Sequence, residues 1–356
     1  MQRQLLDPPG ALSLEMTVRR LCGVQAQVPS AAAIAIGMRS ERPVDVERAL
    51  VDGRLVKTWA MRGTVHLLSP ANAGAYLALM AAGRAWERAS WQRHFGVTPA
   101  QLETLRPVIR DALAGRALSR DELASVVAAD PRLARLGDAL TLDWGTALKP
   151  FAWQGDICHG PSRGNRVTYV RPEDASARWG GMPGPDDAAA LVLSAYFRAY
   201  GPATFDAFAN WLAGGWFGKR RLAGFFAAFA PELVEVDVDG QRGLVLAVDV
   251  DELLATKPTR AVRLLPAFDQ YLLGPGTGDG RLVAADRRAA VSRRSGWISA
   301  VVVRGGKVCG TWVLDQEIVR VSWFAEAGRP PRTALGAEVR RLSAVVGREL
   351  ALAIAE

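Results

Sequence analysis

Two glutamines separated by one residue, Gln25-Ala26-Gln27, lie in an apolar early stretch between two helical-looking segments, Leu12–Leu21 and Ser30–Gly37. Pro29 follows two residues later and pushes Val28 and its neighbours toward extended or turning backbone. In an extended run side chains alternate, so Gln25 and Gln27 point one way and Ala26 the other. Two primary amides then face one spot. An amide is a very poor base, but its oxygen can accept a hydrogen bond from water and can face developing positive charge. Taken alone, the pair reads first as two buried amides tying neighbouring helices to backbone, and only second as a site that positions water.

What surrounds the pair must position it. With 356 residues, of which 49% are apolar, the chain has room for two to four compact units with full cores. No segment approaches the roughly 18 consecutive apolar residues of a membrane span. The start, Met1-Gln2-Arg3-Gln4 followed by Asp7-Pro8-Pro9-Gly10, has no apolar core of signal-peptide length. A cytoplasmic protein with no membrane association is expected. The cysteines, Cys22, Cys158 and Cys309, are far apart and odd in number, which argues against a disulfide framework. Cys158-His159 lacks two further zinc ligands, so neither a metal nor another cofactor is expected.

Formal charge is +8. That suits a nucleic-acid partner. Arginine nevertheless supplies 39 of the 44 basic residues. With the alanine richness this bias suggests a GC-rich genome, so the placement of the arginines carries more meaning than their number.

One pattern recurs: helices, then two strands around a turn. In residues 1–96, Val44–Val51 reads as a helix, Leu55–Trp59 and Val65–Ser69 as strands, and Ala71–Phe95 as a long helical run. In residues 97–180, Thr98 caps a helix with Pro99 at its first position and Pro107 inside it. Ser119–Glu122 is a capping box, Leu140–Ala152 reads as a third helix, and Ile157–His159 with Arg166–Val170 form a hairpin. In residues 181–256, helices at Asp186–Tyr200, Thr204–Leu212 and Lys219–Phe229 precede a hairpin of Leu233–Val238 and Leu244–Val248. Three helices and a two-stranded wing are the order of a winged helix, whose third helix enters the major groove. Lys219, Arg220 and Arg221 open such a third helix. Arg62, Thr64, Arg163, Arg166 and Arg242 lie at or beside the wings as candidate DNA contacts. Residues 257–356 turn to strands at Val262–Leu265, Leu282–Ala284, Trp297–Arg304, Lys307–Leu314 and Ile318–Trp323, with a tight Gly305-Gly306 turn. A helix over Thr333–Ala355 closes the chain. The expected class is therefore α+β: about three tandem winged-helix domains and a β-rich C-terminal domain closed by a helix.

Other chemistry is not supported. Gly274–Gly280 resembles a phosphate loop, but strand-like Leu282-Val283 follows where a nucleotide-binding helix must start, so a flexible hairpin loop is expected. Gly218-Lys219 fails as a Walker motif because Ala213 and Arg220 stand at required positions. There is no GxSxG elbow and no zinc-protease helix.

Three segments together carry a family resemblance. These are Leu21–Gln27, Leu55–Leu67 (Leu-Val-Lys-Thr-Trp-Ala-Met-Arg-Gly-Thr-Val-His-Leu) and Leu265–Gly274 (Leu-Pro-Ala-Phe-Asp-Gln-Tyr-Leu-Leu-Gly). In this order they resemble the AlkZ/YcaQ-like family of winged-helix DNA glycosylases, and the resemblance extends to Gly310-Thr311-Trp312. It implies removal of N7-alkylated purines and unhooking of interstrand crosslinks in double-stranded DNA. Its signature of Gln, an apolar residue, then Gln or Asp falls on Gln25 and Gln27 as catalytic residues. Two departures stand out: Ala26 is smaller than the usual middle residue, and Pro275–Gly280 replaces a more charged segment. His66 and Asp269 are secondary candidates for supporting the site.

The implied chemistry suits two amides. An N7-alkylated purine is cationic, and breaking its glycosidic bond neutralises it, so little acid catalysis is needed. The enzyme must hold a water near C1′ and stabilise oxocarbenium-like charge, and orientation alone is worth up to about 7–11 kcal/mol in favourable cases. No lysine neighbours the motif, so a monofunctional hydrolase is expected, with no obligate protein partner. The rival readings are a non-enzymatic winged-helix regulator or architectural factor and a protein-interaction scaffold.

Overall fold

The computed structural model describes residues 1–41, 43–141, 146–214 and 217–355. These group into two compact units, each assembled from separate stretches of chain. One unit comprises Met1–Asp45, Ala195–Trp211 and Pro231–Glu356, and the other Val46–Ser194 and Leu212–Ala230. No helix among the described residues is long and apolar enough to cross a membrane.

The first unit is organised by a five-stranded sheet in the order Ala351–Ala355, Ile318–Trp323, Lys307–Asp315, Val301–Arg304, Val262–Leu265. Alternation along Val301-Val302-Val303 feeds two cores. Val301 and Val303 join Leu265, Tyr271 and Phe324 on one face. Val302 joins Leu264, Trp312 and Val319 on the other, against Leu335, Val339 and Leu342 of the helix Arg332–Val346.

The chain end differs from expectation. The last helix stops at Val346, where Gly347 takes a left-handed φ of 70° and its N–H bonds to Ser343. Ala351–Ala355 then forms a strand parallel to Ile318–Trp323. The helix is thus the crossover that a parallel pair needs, not the closing element. Leu282–Ala284 is not a strand, and the strand expected from Trp297 begins at Val301. Gly305 and Gly306, at φ 57° and 90°, form the expected tight turn. The Gly274–Gly280 loop leads into a turn rather than a hairpin, pinned where Arg281 bonds Asp279 at 2.6 Å and the Pro202 carbonyl at 3.2 Å.

In the second unit Val56–Trp59 pairs antiparallel with Val65–Leu68 on one side and, through Lys57 and His159, with Cys158–His159 on the other. Thr168–Val170 and Leu118–Ser119 extend the same ladder. The hairpins expected in residues 1–96 and 97–180 therefore share one sheet. Both N-caps form as capping boxes, Thr98 with Gln101 and Ser119 with Glu122. The helix Pro99–Ala112 runs through Pro107 without dividing. The long run expected over Ala71–Phe95 breaks after Ala82, where a side chain on Gly83 would sit 2.9 Å from the Phe217 ring and Arg84 takes a left-handed φ of 47°. The helix expected over Leu140–Ala152 falls partly outside the described residues: Leu140 and Thr141 end the helix Ala134–Thr141, and Lys149–Ala152 lie in the helix Lys149–Trp153.

In the third stretch the helices Pro185–Tyr200, Phe205–Ala213 and Lys219–Phe229 precede the hairpin Leu233–Val238 with Gln241–Leu246. Its Asp239-Gly240 turn has φ of 53° and 78°, the geometry that matches strand twist.

Candidate active site

The motif is presented by a reversal of the chain. Helix Leu14–Arg20, capped by Ser13, ends at Leu21. Cys22 and Gly23 follow with φ of 56° and 93°. Their N–H groups return to the Arg19 and Val18 carbonyls at 3.1 and 2.9 Å, a helix C-terminal turn in which cysteine occupies the left-handed position usual for glycine. The turn delivers the chain into the short strand Val24–Gln25. Val28 is extended (φ −113°, ψ 97°), and Pro29 opens the helix Pro29–Gly37, as the proline spacing requires.

The two amides do not share one environment. The strand ends at Gln25, and Gln27 lies in the bend before the helix, so the alternation expected to align them stops short. Gln25 is 6% exposed, and its Oε1 has no hydrogen-bond partner among the described residues. Gln27 is exposed, and Ala26 between them is buried. A buried acceptor left unpaired is costly, so Gln25 Oε1 is an acceptor open to a donor or a positive charge.

Asp269 has a definite structural task. It is fully buried and caps the short helix Gln270–Leu273, its Oδ1 accepting from the Tyr271 N–H at 2.8 Å. Both carboxylate oxygens also accept from fully buried Arg39, at 2.6 and 2.8 Å. Arg39 further donates to the Gln4 and Ala35 carbonyls at 2.9 and 2.8 Å. This pair ties the far end of the helix that begins beside Gln27 to the Leu265–Gly274 segment. Sequence reasoning passed over Arg39 because it is one arginine among many with no motif around it.

His66 is fully buried. Its Nδ1–H donates to the Thr64 carbonyl at 2.9 Å. Burial first, and the Arg62 charge second, push its pKa down to about 3. The ring is neutral near pH 7, and Nε2 is a buried acceptor with no hydrogen-bond partner among the described residues. His159 tilts against Trp59 and Tyr169 with ring centroids 4.6 and 5.5 Å away, an aromatic packing role.

The basic candidates divide. Arg62 is half-buried in its turn at φ 56°, and its Cγ would lie 3.2 Å from a side chain at Gly214. Thr64 Oγ1 donates back to the Met61 carbonyl at 3.1 Å, so this hairpin turn is packed rather than a free tip. Arg163 is paired with Glu122 at 3.1 Å, and Arg242 with Glu235 at 3.4 Å. Such exposed pairs are weak and leave the arginines available. Arg166, Arg220 and Arg221 are exposed without an ion-pair partner among the described residues. The Lys219 side chain lies outside the described residues.

Gln270 is a further residue that sequence reasoning missed, although it lies inside the quoted Leu265–Gly274 segment. It is fully buried, and neither end of its amide finds a partner among the described residues.

The family model described as "DNA glycosylase AlkZ-like" matches residues 18–345, a span that contains Gln25, Gln27, His66 and Asp269. The chain belongs to this family. It is 46% identical over 351 residues to the interstrand DNA cross-link repair glycosylase of Streptomyces sahachiroi, covering 98% of this chain and 94% of that protein. The solved structure of the Streptomyces sahachiroi DNA glycosylase AlkZ superposes with a TM-score of 0.96 at 44% identity, covering 100% of this chain and 97% of that one. This AlkZ-like chain is a DNA glycosylase with a mixed α+β fold. The non-enzymatic readings fall away.

Proposed function

We propose that this glycosylase hydrolyses the N-glycosidic bond of cationic N7-alkylated purines, including purines within interstrand crosslinks, using a water oriented by Gln25 and Gln27. The buried, unpartnered Gln25 Oε1 at the end of the two-residue strand carries the reading. Such an oxygen can accept from the attacking water or face the oxocarbenium-like sugar without reorganising. Gln27, on the exposed side, holds the water from the open direction. Neither amide can protonate a neutral leaving base, so the substrate must bring its own leaving-group charge, and the proton of the added water passes to solvent.

Crosslink unhooking is supported by the name of the 46% identical relative. It also suits an exposed Gln27, because a purine tethered to both strands cannot rotate fully into a closed pocket. The tandem winged-helix division belongs to this proposal too, with Arg166, Lys219, Arg220, Arg221 and Arg242 on phosphates. The test compares leaving groups. Duplex DNA carrying N7-methylguanine or an N7-linked crosslink should release base and become alkali-labile. Duplexes carrying the neutral bases uracil or O6-methylguanine should stay intact. Release of the neutral bases at a comparable rate would overturn the reading.

A further inference from the structure

The carbonyl at which the motif turn begins is held from outside the turn. Tyr200, the last residue of helix Pro185–Tyr200, is buried, and its hydroxyl donates to the Leu21 carbonyl at 2.5 Å. Leu21 follows the last residue of helix Leu14–Arg20, where carbonyls lack intrahelical partners. Cys22, at φ 56°, and Gly23 then turn the chain toward Gln25. A non-glycine residue in that conformation is strained and persists only where its surroundings over-determine it.

The same tyrosine is fixed from its other side. A side chain on Gly274 would sit 2.1 Å from the Tyr200 ring, so the ring lies directly against the backbone there. Gly274 has an ordinary helical backbone (φ −65°, ψ −61°), so this close approach, not a turn, excludes larger residues. Tyr196, with its ring centroid 5.1 Å from that of Tyr200, donates to the Gly274 carbonyl at 3.1 Å. Two tyrosines one helical turn apart thus join the Leu21–Gln27 segment to the Leu265–Gly274 segment. Burial raises the Tyr200 phenol well above its usual pKa, so it remains a donor across the working pH range.

We propose that Tyr200 is a positioning residue for base excision: by holding the Leu21 carbonyl it sets where the strand places the Gln25 amide. The strand has two residues, and Gln25 Oε1 has no hydrogen-bond partner among the described residues to hold it. Its location therefore follows the backbone, which leaves the turn at Gly23 only two residues earlier. Catalytic geometry is sensitive to this, since a misplacement of about 1 Å can cost on the order of 100-fold in rate. The inference rests on the proposed role of Gln25.

The experiment is a double-mutant cycle on single-turnover release of N7-methylguanine, with Tyr200→Phe, Gln25→Ala and the double variant, each also measured for thermal midpoint. Tyr200→Phe should lower the maximal rate by roughly 10–100-fold and leave the half-saturating enzyme concentration within about twofold. In the Gln25→Ala background the same change should add no further loss. Gly274→Ala, which displaces the ring instead of removing the hydroxyl, should repeat this pattern and serves if Tyr200→Phe does not fold. An unchanged rate in Tyr200→Phe, or an equal fold loss with and without Gln25, would overturn the inference. If Gln25→Ala alone keeps the wild-type rate, the proposed function of Gln25 fails and the inference falls with it. If Gln25→Ala is slow while Tyr200→Phe is not, only the inference fails.

Discussion

Gln25 and Gln27 look alike in the chain and differ in the fold: one amide is buried with an unpartnered oxygen, the other is exposed. The pattern of two amides around an apolar residue was legible because it is local. Their unequal burial was not, because it depends on a strand of only two residues that ends between them. Arg39 shows the same limit. Its meaning lies in a bond to Asp269, 230 positions away, which no local pattern records. Gln270 offers a test of unpaired burial at this scale. A buried polar group without a partner costs about 1–3 kcal/mol, so Gln270→Met, close in shape and without the amide, should raise stability by about that amount in chemical denaturation. A loss of comparable size would show that ordered water already satisfies the amide.

At the scale of elements, the hairpins and capped helices were readable from turn residues, as at Gly305-Gly306 and Ser119–Glu122. The ends were harder. The residues after Val346 carry an apolar pattern that continues the helix on paper, whereas Gly347 stops it and the sheet edge claims Ala351–Ala355. Strand burial has its own consequence at His66. Its folded pKa, about 3, lies below the ordinary value of 6.5, so between those values the unfolded chain binds the extra proton. Stability from this group is complete above pH 6.5 and falls as pH drops, by about 2 kcal/mol at pH 5. Urea unfolding across pH 5–7.5 should show that slope together with an equal one from His159, which burial also pushes down to about 3, so His66→Leu should roughly halve the total. An equal slope in both proteins would mean that His66 does not titrate as its burial requires.

For the whole molecule, the recurring helices and hairpins follow chain order, while the compact units draw on separated stretches. Chain order is visible in a sequence; which stretches pack together depends on contacts between residues far apart, such as Tyr200 with Leu21. The charge of +8 was visible, but only placement separates phosphate contacts from coding bias. Arg220→Ala and Arg221→Ala should each lower the slope of log affinity against log salt by about 1, with binding weakened alike across sequences. Unchanged slopes would remove that helix from the DNA interface. The central claim is that a buried amide, not a base, drives excision of an already cationic purine. Its most direct test is the single-turnover rate of N7-methylguanine release by wild type, Gln25→Ala and Gln27→Ala at saturating enzyme. The account predicts a loss of about 100–1,000-fold for Gln25→Ala, the size expected when one preorganised polar group is removed, and a smaller loss for Gln27→Ala. A wild-type rate in Gln25→Ala would contradict it.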